Sequence, residues 1–163
     1  MSSSIEISSE FGLQSSSLSK KVENAEGSFT RTFVRPALKV KFPVSDQNLI
    51  KLGVGGGYYF GGDLDIDMSQ IAGGGHNIYT YKGAAGFHIT GEFEHIISSW
   101  SSLSAQWSWG VGLRYFSVKY DLESMTSDGI SVPLDQLTQD LRDRMMELDG
   151  SGFDVFGYLA IYL

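Results

Sequence analysis

No cysteine occurs in the 163 residues, which rules out a disulfide framework and any thiolate metal site. Proline, the residue that interrupts regular backbone, occurs only three times, so long unbroken elements are permitted. No apolar run approaches the roughly 18 residues of a transmembrane helix. Charged residues are sparse at 19%, against about 25% in ordinary soluble domains. Their balance is acidic, with a net charge of −7. The basic surface that nucleic acid requires is missing, and no such partner is expected. Met1 leads directly into Ser2, Ser3 and Ser4 rather than into the basic and apolar stretches of a secretory leader. An exported chain is therefore expected to be represented here in its processed form.

What the chain has instead is glycine (20 residues), aromatics (13%) and alternation. Apolar and polar residues exchange with period two, the strand period, over six segments: 5–14, 28–42, 49–66, 77–97, 102–121 and 152–163. In 103–115, Leu103, Ala105, Trp107, Trp109, Val111, Leu113 and Tyr115 share one face and Arg114 lies on the other. The fourth segment sets Phe87, Ile89 and Phe93 against His88, Thr90, Glu92 and Glu94. In the second, Val34 to Phe42 at even positions oppose Arg35, Lys39 and Lys41; in the third, Ile50, Leu52 and Val54 oppose Lys51. The first opposes Ile5, Ile7, Phe11 and Leu13 to Glu6 and Glu10, and the last opposes Phe153, Val155, Leu159 and Ile161 to Asp154. One domain, 1–163, accounts for the whole pattern.

Alternation alone leaves the outer face open, because a soluble barrel buries its apolar face and a membrane barrel does the reverse. Three features favour the membrane. Short connections (43–48, 98–101) alternate with long ones (15–27, 62–76, 122–151), so all long loops fall at one end, as in outer-membrane barrels. The polar faces carry opposite charges in similar number: Glu6, Glu10, Glu92, Glu94 and Asp154 with Arg35, Lys39, Lys41, Lys51 and Arg114. A narrow lumen tolerates such charges when they are paired. Aromatics gather towards strand ends, with Phe42, Trp100 and Tyr162 at the short-turn end. At the other end stand Tyr58, Phe60, Tyr79, Tyr81, Tyr115 and Phe153, as membrane-interface girdles would require. On this reading Leu103, Trp107, Trp109, Val111, Leu113, Phe87, Ile89, Leu159 and Ile161 face lipid.

With these strands, this loop asymmetry and a closing strand running from Gly152 to Leu163, the chain resembles the small bacterial outer-membrane β-barrels of the OmpA, OmpX and OmpW type. The resemblance implies an all-β, antiparallel up-and-down transmembrane barrel in the outer membrane of a Gram-negative bacterium. The lipid bilayer would be its partner, with other outer-membrane or surface proteins contacting its long loops. Single-chain barrels of this class start at eight strands, so eight are expected where six are evident. A hairpin within 62–76 or 122–151, upstream strands or strands from several chains would complete it. Leu134, Leu137, Leu141, Met145 and Leu148 recur at helical spacing between Pro133 and Gly150, which predicts an amphipathic helix over 133–148.

Chemistry-bearing residues are few. His88, Thr90 and Glu92 stand on one strand face, an order that can support acyl transfer with histidine as base. Asp63, Asp65 and Asp67 share one side of an extended segment and offer oxygen ligands to a hard cation. His76, His88 and His95 have no zinc-site spacing. Neither Gly55–Gly57 nor Gly73–Gly75 continues into the Lys-Ser/Thr of a phosphate loop, and no cofactor is expected. The readings that follow are a loop-presenting membrane barrel, with a narrow pore through it as one variant, a soluble lipocalin-like barrel with Trp107, Trp109, Phe87 and Ile89 turned inward, and a membrane-embedded lipid acyl hydrolase.

Overall fold

The computed structural model describes residues 3–17, 26–70, 74–97 and 106–162. The period-two segments become strands β1 (Ser4–Ser17), β2 (Glu26–Pro43), β3 (Asn48–Tyr59), β4 (Asp63–Asp67), β5 (His76–Tyr81), β6 (Ala84–Ile97), β7 (Gln106–Ser127), β8 (Ile130–Val132), β9 (Glu147–Asp149) and β10 (Gly152–Tyr162). The fold is all-β and every pairing is antiparallel. The only α-helix among the described residues, α1, spans Gln139–Met145.

The long strands form a meander in the order β1, β2, β3, β6, β7, β10. β4 resumes the line of β3 after Phe60–Gly62, and β5 runs into β6 across Lys82–Gly83. The β4–β5 hairpin thus prolongs the β3–β6 pair, bonding to β2 through Glu26–Thr30 and to β7 through Asn77–Tyr81. Glycine is needed at the break: a Cβ on Gly61 would run into the Tyr81 carbonyl oxygen, and one on Gly62 into that of Thr30. The connection 62–76, read from sequence as a loop, therefore contains a strand, Asp63–Asp67, and meets the start of another at His76. Among the described residues the long strands number six, as the alternation counts, and not eight. β1 and β10 are each paired along one side only.

Two features of 122–151 differ from expectation. β7 continues to Ser127 and turns through Asp128 and Gly129, both at positive φ (48° and 78°), the backbone of a tight hairpin turn, into β8. The helix is shorter than 133–148. Leu134–Gln136 winds as a 3-10 turn, Leu137 is extended, and Thr138 caps α1, its side chain accepting from the Leu141 N–H at 3.4 Å. Glu147–Asp149 is taken into the sheet opposite Lys119–Asp121, so pairing with β7 displaces the last helical turn and Gly150 is not the stop.

The sheet curls until strands far apart in order share partners: Lys51 of β3 reaches both Glu6 of β1 and Tyr162 of β10. Its inner face changes character along its length. On β7 the inward positions read Ser108, Gly110, Gly112 and Arg114 and then Phe116, Val118, Tyr120 and Leu122, all but Gly112 buried. β2 does the same in reverse, with Phe29 and Phe33 inward above Arg35. At the long-loop end these residues join Tyr59, Leu64, Tyr79, Tyr81, Met125 and Leu137 in an apolar core, against which Leu141 and Met145 of α1 pack. The Tyr81 hydroxyl, pushed up to about 12 by burial and by Tyr79 beside it, donates to the Met145 carbonyl at 3.0 Å. The helix is a lid on its own sheet.

Candidate functional site: a charged interior within an apolar belt

Below that core the normal arrangement of a soluble sheet is inverted. The outward positions run from Ile5 to Leu13, Val34 to Phe42, Ile50 to Phe60, Phe87 to Ile97, Trp107 to Tyr115 and Phe153 to Ile161, nine to eleven residues on every strand. No Asp, Glu, Lys or Arg is among them. The polar exceptions are Ser9 and, near the short-turn end, His95, whose Nδ1 is 2.9 Å from the Asn48 side-chain oxygen. Trp107, Trp109, Phe87, Ile89, Val111, Leu113, Leu159 and Ile161 all point outward and are exposed; Leu103 and Trp100 lie outside the described residues. Soluble monomers rarely expose a contiguous apolar patch above a few hundred Å2, and this one surrounds the sheet.

Aromatic side chains border the belt. At the upper edge Tyr58 meets Phe60 (ring centroids 5.2 Å apart) and Tyr115 meets Phe153 (5.0 Å). Phe42, Trp107 and Trp109 stand towards the lower edge. Tyr79, Tyr81 and Tyr162, assigned to the girdles from sequence, are turned inward. Tyr162 shares the inner face with Asp154, and Tyr79 and Tyr81 are buried opposite Met125 and Leu122, where the register shift skips Glu123 of β7.

The predicted interior charges do converge. At the short-turn end Lys51 pairs with Glu94 and with Glu6 (3.2 Å), Lys41 with Glu6 (2.7 Å), and Glu94 accepts from the Tyr158 and Tyr162 hydroxyls at 2.9 and 2.7 Å. Midway, Lys39 sits 2.6 Å from Glu92. Above them two arginines grip two carboxylates. Arg35 reaches Glu10 at 2.9 Å and Asp154 at 3.7 Å; Arg114 reaches Glu10 at 2.7 Å and Asp154 at 3.3 Å. Arg35 also lies 3.5 Å over the Phe33 ring, and Arg114 lies 4.4 Å over that of Phe156. Burying single charges costs several kcal/mol each; pairing and stacking make this column tolerable.

Sequence reading missed the topmost member. Arg31 is buried with its guanidinium 5.0 to 5.6 Å from the Phe116, Tyr59 and Tyr120 rings, and it donates to the Tyr120 hydroxyl at 2.6 Å and to Gln14 at 2.9 Å. Its parity with Arg35 is the signal that could have found it. With Arg31 included, six cations (Arg31, Arg35, Lys39, Lys41, Lys51, Arg114) face five carboxylates, so the interior is nearly neutral. Among the described residues outside it, only Asp46 lies at the short-turn end; twelve carboxylates against four Lys and Arg fall in the long-loop half.

The other candidates are separated. His88, Thr90 and Glu92 share the buried inner face, but no hydrogen bond joins them, and Glu92 is held by Lys39. The histidine–hydroxyl contact that acyl transfer requires is missing. Asp63 accepts from Thr80, Asp65 meets His76 at 2.7 Å and Asp67 accepts from the Ser69 N–H. Each is occupied separately, and the described residues contain no cluster of three or more metal-ligating side chains. No family model, curated protein or solved structure matches the chain.

Proposed function

We propose that this chain is a small membrane-spanning β-barrel of the bacterial outer membrane, of the OmpA, OmpX and OmpW kind, whose role is structural and interactive. One observation carries the reading. A belt free of charge encircles a charged interior on all six long strands, and its nine to eleven residues match the ~9–11 that a strand needs to cross a bilayer. On this reading the upper membrane boundary falls where the inner face turns apolar, near Phe33, Tyr59 and Phe116. Beyond it the wall is built like a soluble sheet, with its own core and lid, and carries the acidic surface available to partners.

The interior also supports a plugged barrel rather than a pore. Paired charges fill the lower half, aromatic side chains fill the upper half, and α1 covers the end. In planar bilayers the protein is expected not to conduct. A lipocalin-like pocket requires the belt tryptophans inside, and they point out.

The test is solubility and insertion. Purified protein should need detergent to stay monodisperse, should incorporate into phospholipid vesicles, and should show heat-modifiable mobility on a denaturing gel. Monodisperse protein in plain buffer that ignores vesicles would end this reading.

A further inference from the structure

Above the belt, the outer face of β1, β2 and β4 changes from apolar to hydroxylic within one row of side chains. Strand pairing fixes the rows. Leu13 stands opposite Thr32, and Thr32 beside Phe60, whose N–H donates to the Thr32 carbonyl at 2.9 Å. The next row up is Ser15, Thr30 and Asp63, and the one after it holds Ser28 and Asp65. Phe29, Arg31, Phe33 and Leu64 are buried on the inner face, so alternation turns these neighbours outward. Strands lie about 4.8 Å apart and alternate residues about 6.8 Å apart, which gives a patch of about 10 by 14 Å. A groove of about 410 Å3 runs over it from Leu13, at the top of the belt, to Asp65.

The chemistry of the groove narrows what can occupy it. Ser28, Thr30 and Thr32 bring hydroxyls, which both donate and accept. Asp63 and Asp65 each have one oxygen engaged, by Thr80 and by His76, both at 2.7 Å. The second oxygen of each has no hydrogen-bond partner among the described residues and calls for a donor. The one cation lining the groove among the described residues, Arg31, has its three nitrogens taken by Gln14, Tyr120 and the Gly150 carbonyl. Two carboxylates with no free cation beside them repel an anionic ligand. A bare metal ion does not fit either, since no three ligating side chains converge among the described residues. The occupant must be rich in hydroxyls and free of negative charge. At the foot of the groove the exposed Phe60 ring, edge-on to Tyr58, offers an aromatic face to its C–H groups.

We propose that this groove binds the uncharged sugar headgroup of a membrane glycolipid. The sugar hydroxyls would donate to Asp63 and Asp65 and exchange bonds with Thr30 and Thr32, one sugar ring would rest on Phe60, and the acyl chains would continue down the belt. Charge selects sugar over phosphate, and continuity with the belt selects a lipid over a free sugar, because Leu13 lines the same groove. The inference rests on the membrane reading, in which Leu13 and Phe60 mark the level where acyl chains end and headgroups begin.

The experiment uses the full chain in phosphatidylcholine nanodiscs, with incorporation verified first, and counts retained lipids by native mass spectrometry as digalactosyl diacylglycerol is added. Phosphatidylglycerol and free lactose serve as comparison probes. One digalactosyl lipid should be retained per chain, at least about tenfold more tightly than either comparison, a difference of about 1.4 kcal/mol. Thr30→Val/Thr32→Val keeps the shape of the groove and removes two hydroxyls; it should weaken retention by about tenfold, as two ordinary hydrogen bonds imply. Phe60→Leu, which keeps an apolar side chain and removes the ring, should weaken it at least about threefold. Neither variant should alter the retention of phosphatidylglycerol. Circular dichroism confirms that each variant is folded. Equal retention of phosphatidylglycerol, or glycolipid retention indifferent to both variants, overturns the proposal. Lactose binding as tight as the glycolipid's replaces the lipid with a water-borne sugar and overturns it as well. Failure to enter nanodiscs at all refutes the membrane reading itself, and the headgroup site falls with it.

Discussion

Val111 is the fifth of the nine residues from Trp107 to Tyr115, at mid-height on the belt, and its side chain is exposed. Replacing it with lysine separates a membrane from an aqueous surface more sharply than any other single change. If the belt lies in hydrocarbon, an ammonium at the midplane costs about 2–4 kcal/mol, a shift of roughly 30- to 700-fold in the folding equilibrium at about 1.4 kcal/mol per tenfold. If the belt is wet, a surface substitution of this kind falls within about 0.5 kcal/mol. Val44, also exposed but in the turn after β2, is the control: Val44→Lys near the interface should cost about 0–1 kcal/mol. The assay is urea titration of folding into phosphatidylcholine vesicles, followed by tryptophan fluorescence, with equal denaturant slopes required for comparison. Val111→Lys and Val44→Lys lying within 0.5 kcal/mol of each other would refute the belt argument.

Three further outcomes follow from the same geometry. Glu94→Gln leaves Lys51 buried beside a neutral amide and should cost about 3–5 kcal/mol in the same titration, whereas the apolar pair Lys51→Met/Glu94→Leu should recover most of it; a single-variant loss below about 1 kcal/mol contradicts the pairing. Asp65, by hydrogen bond and by charge, raises the His76 pKa above its ordinary 6.5. The protonated imidazole thus favours the folded hairpin: its contribution is complete below about pH 6.5 and is lost as pH rises through the folded value. Protection of the β4–β5 amides relative to their intrinsic exchange rates should accordingly fall between pH 6 and 8.5, and Asp65→Asn should remove that fall. Gly55 and Gly56 are adjacent but opposite: a Cβ on Gly55 collides with the Pro36 carbonyl and the His88 ring, while one on Gly56 meets nothing nearer than 3.8 Å. Gly55→Ala should lower the urea midpoint clearly and Gly56→Ala hardly at all, and equal effects would disprove the close approach.

Alternation determined a great deal unaided. Because side chains on a strand point to opposite faces with period two, parity alone grouped Glu6, Glu10, Arg35, Lys39, Lys51, Glu92, Glu94, Arg114 and Asp154 on one surface and gave the six long strands. It did not reveal that Arg31 continues the series, although the same parity reaches it. Nor could parity find the level at which the inner face turns from charged to aromatic, since residues such as Phe116 and Tyr120 read as ordinary strand formers until the strands beside them are known. The helix over 133–148 was legible in type but not in extent, because the sheet competes for Glu147–Asp149. Above all, only the tertiary structure decided which charges meet: Glu10 with Arg114 and Lys51 with Tyr162 lie about a hundred residues apart in sequence, and it is the curl of the sheet, a property of all six strands together, that brings them into contact.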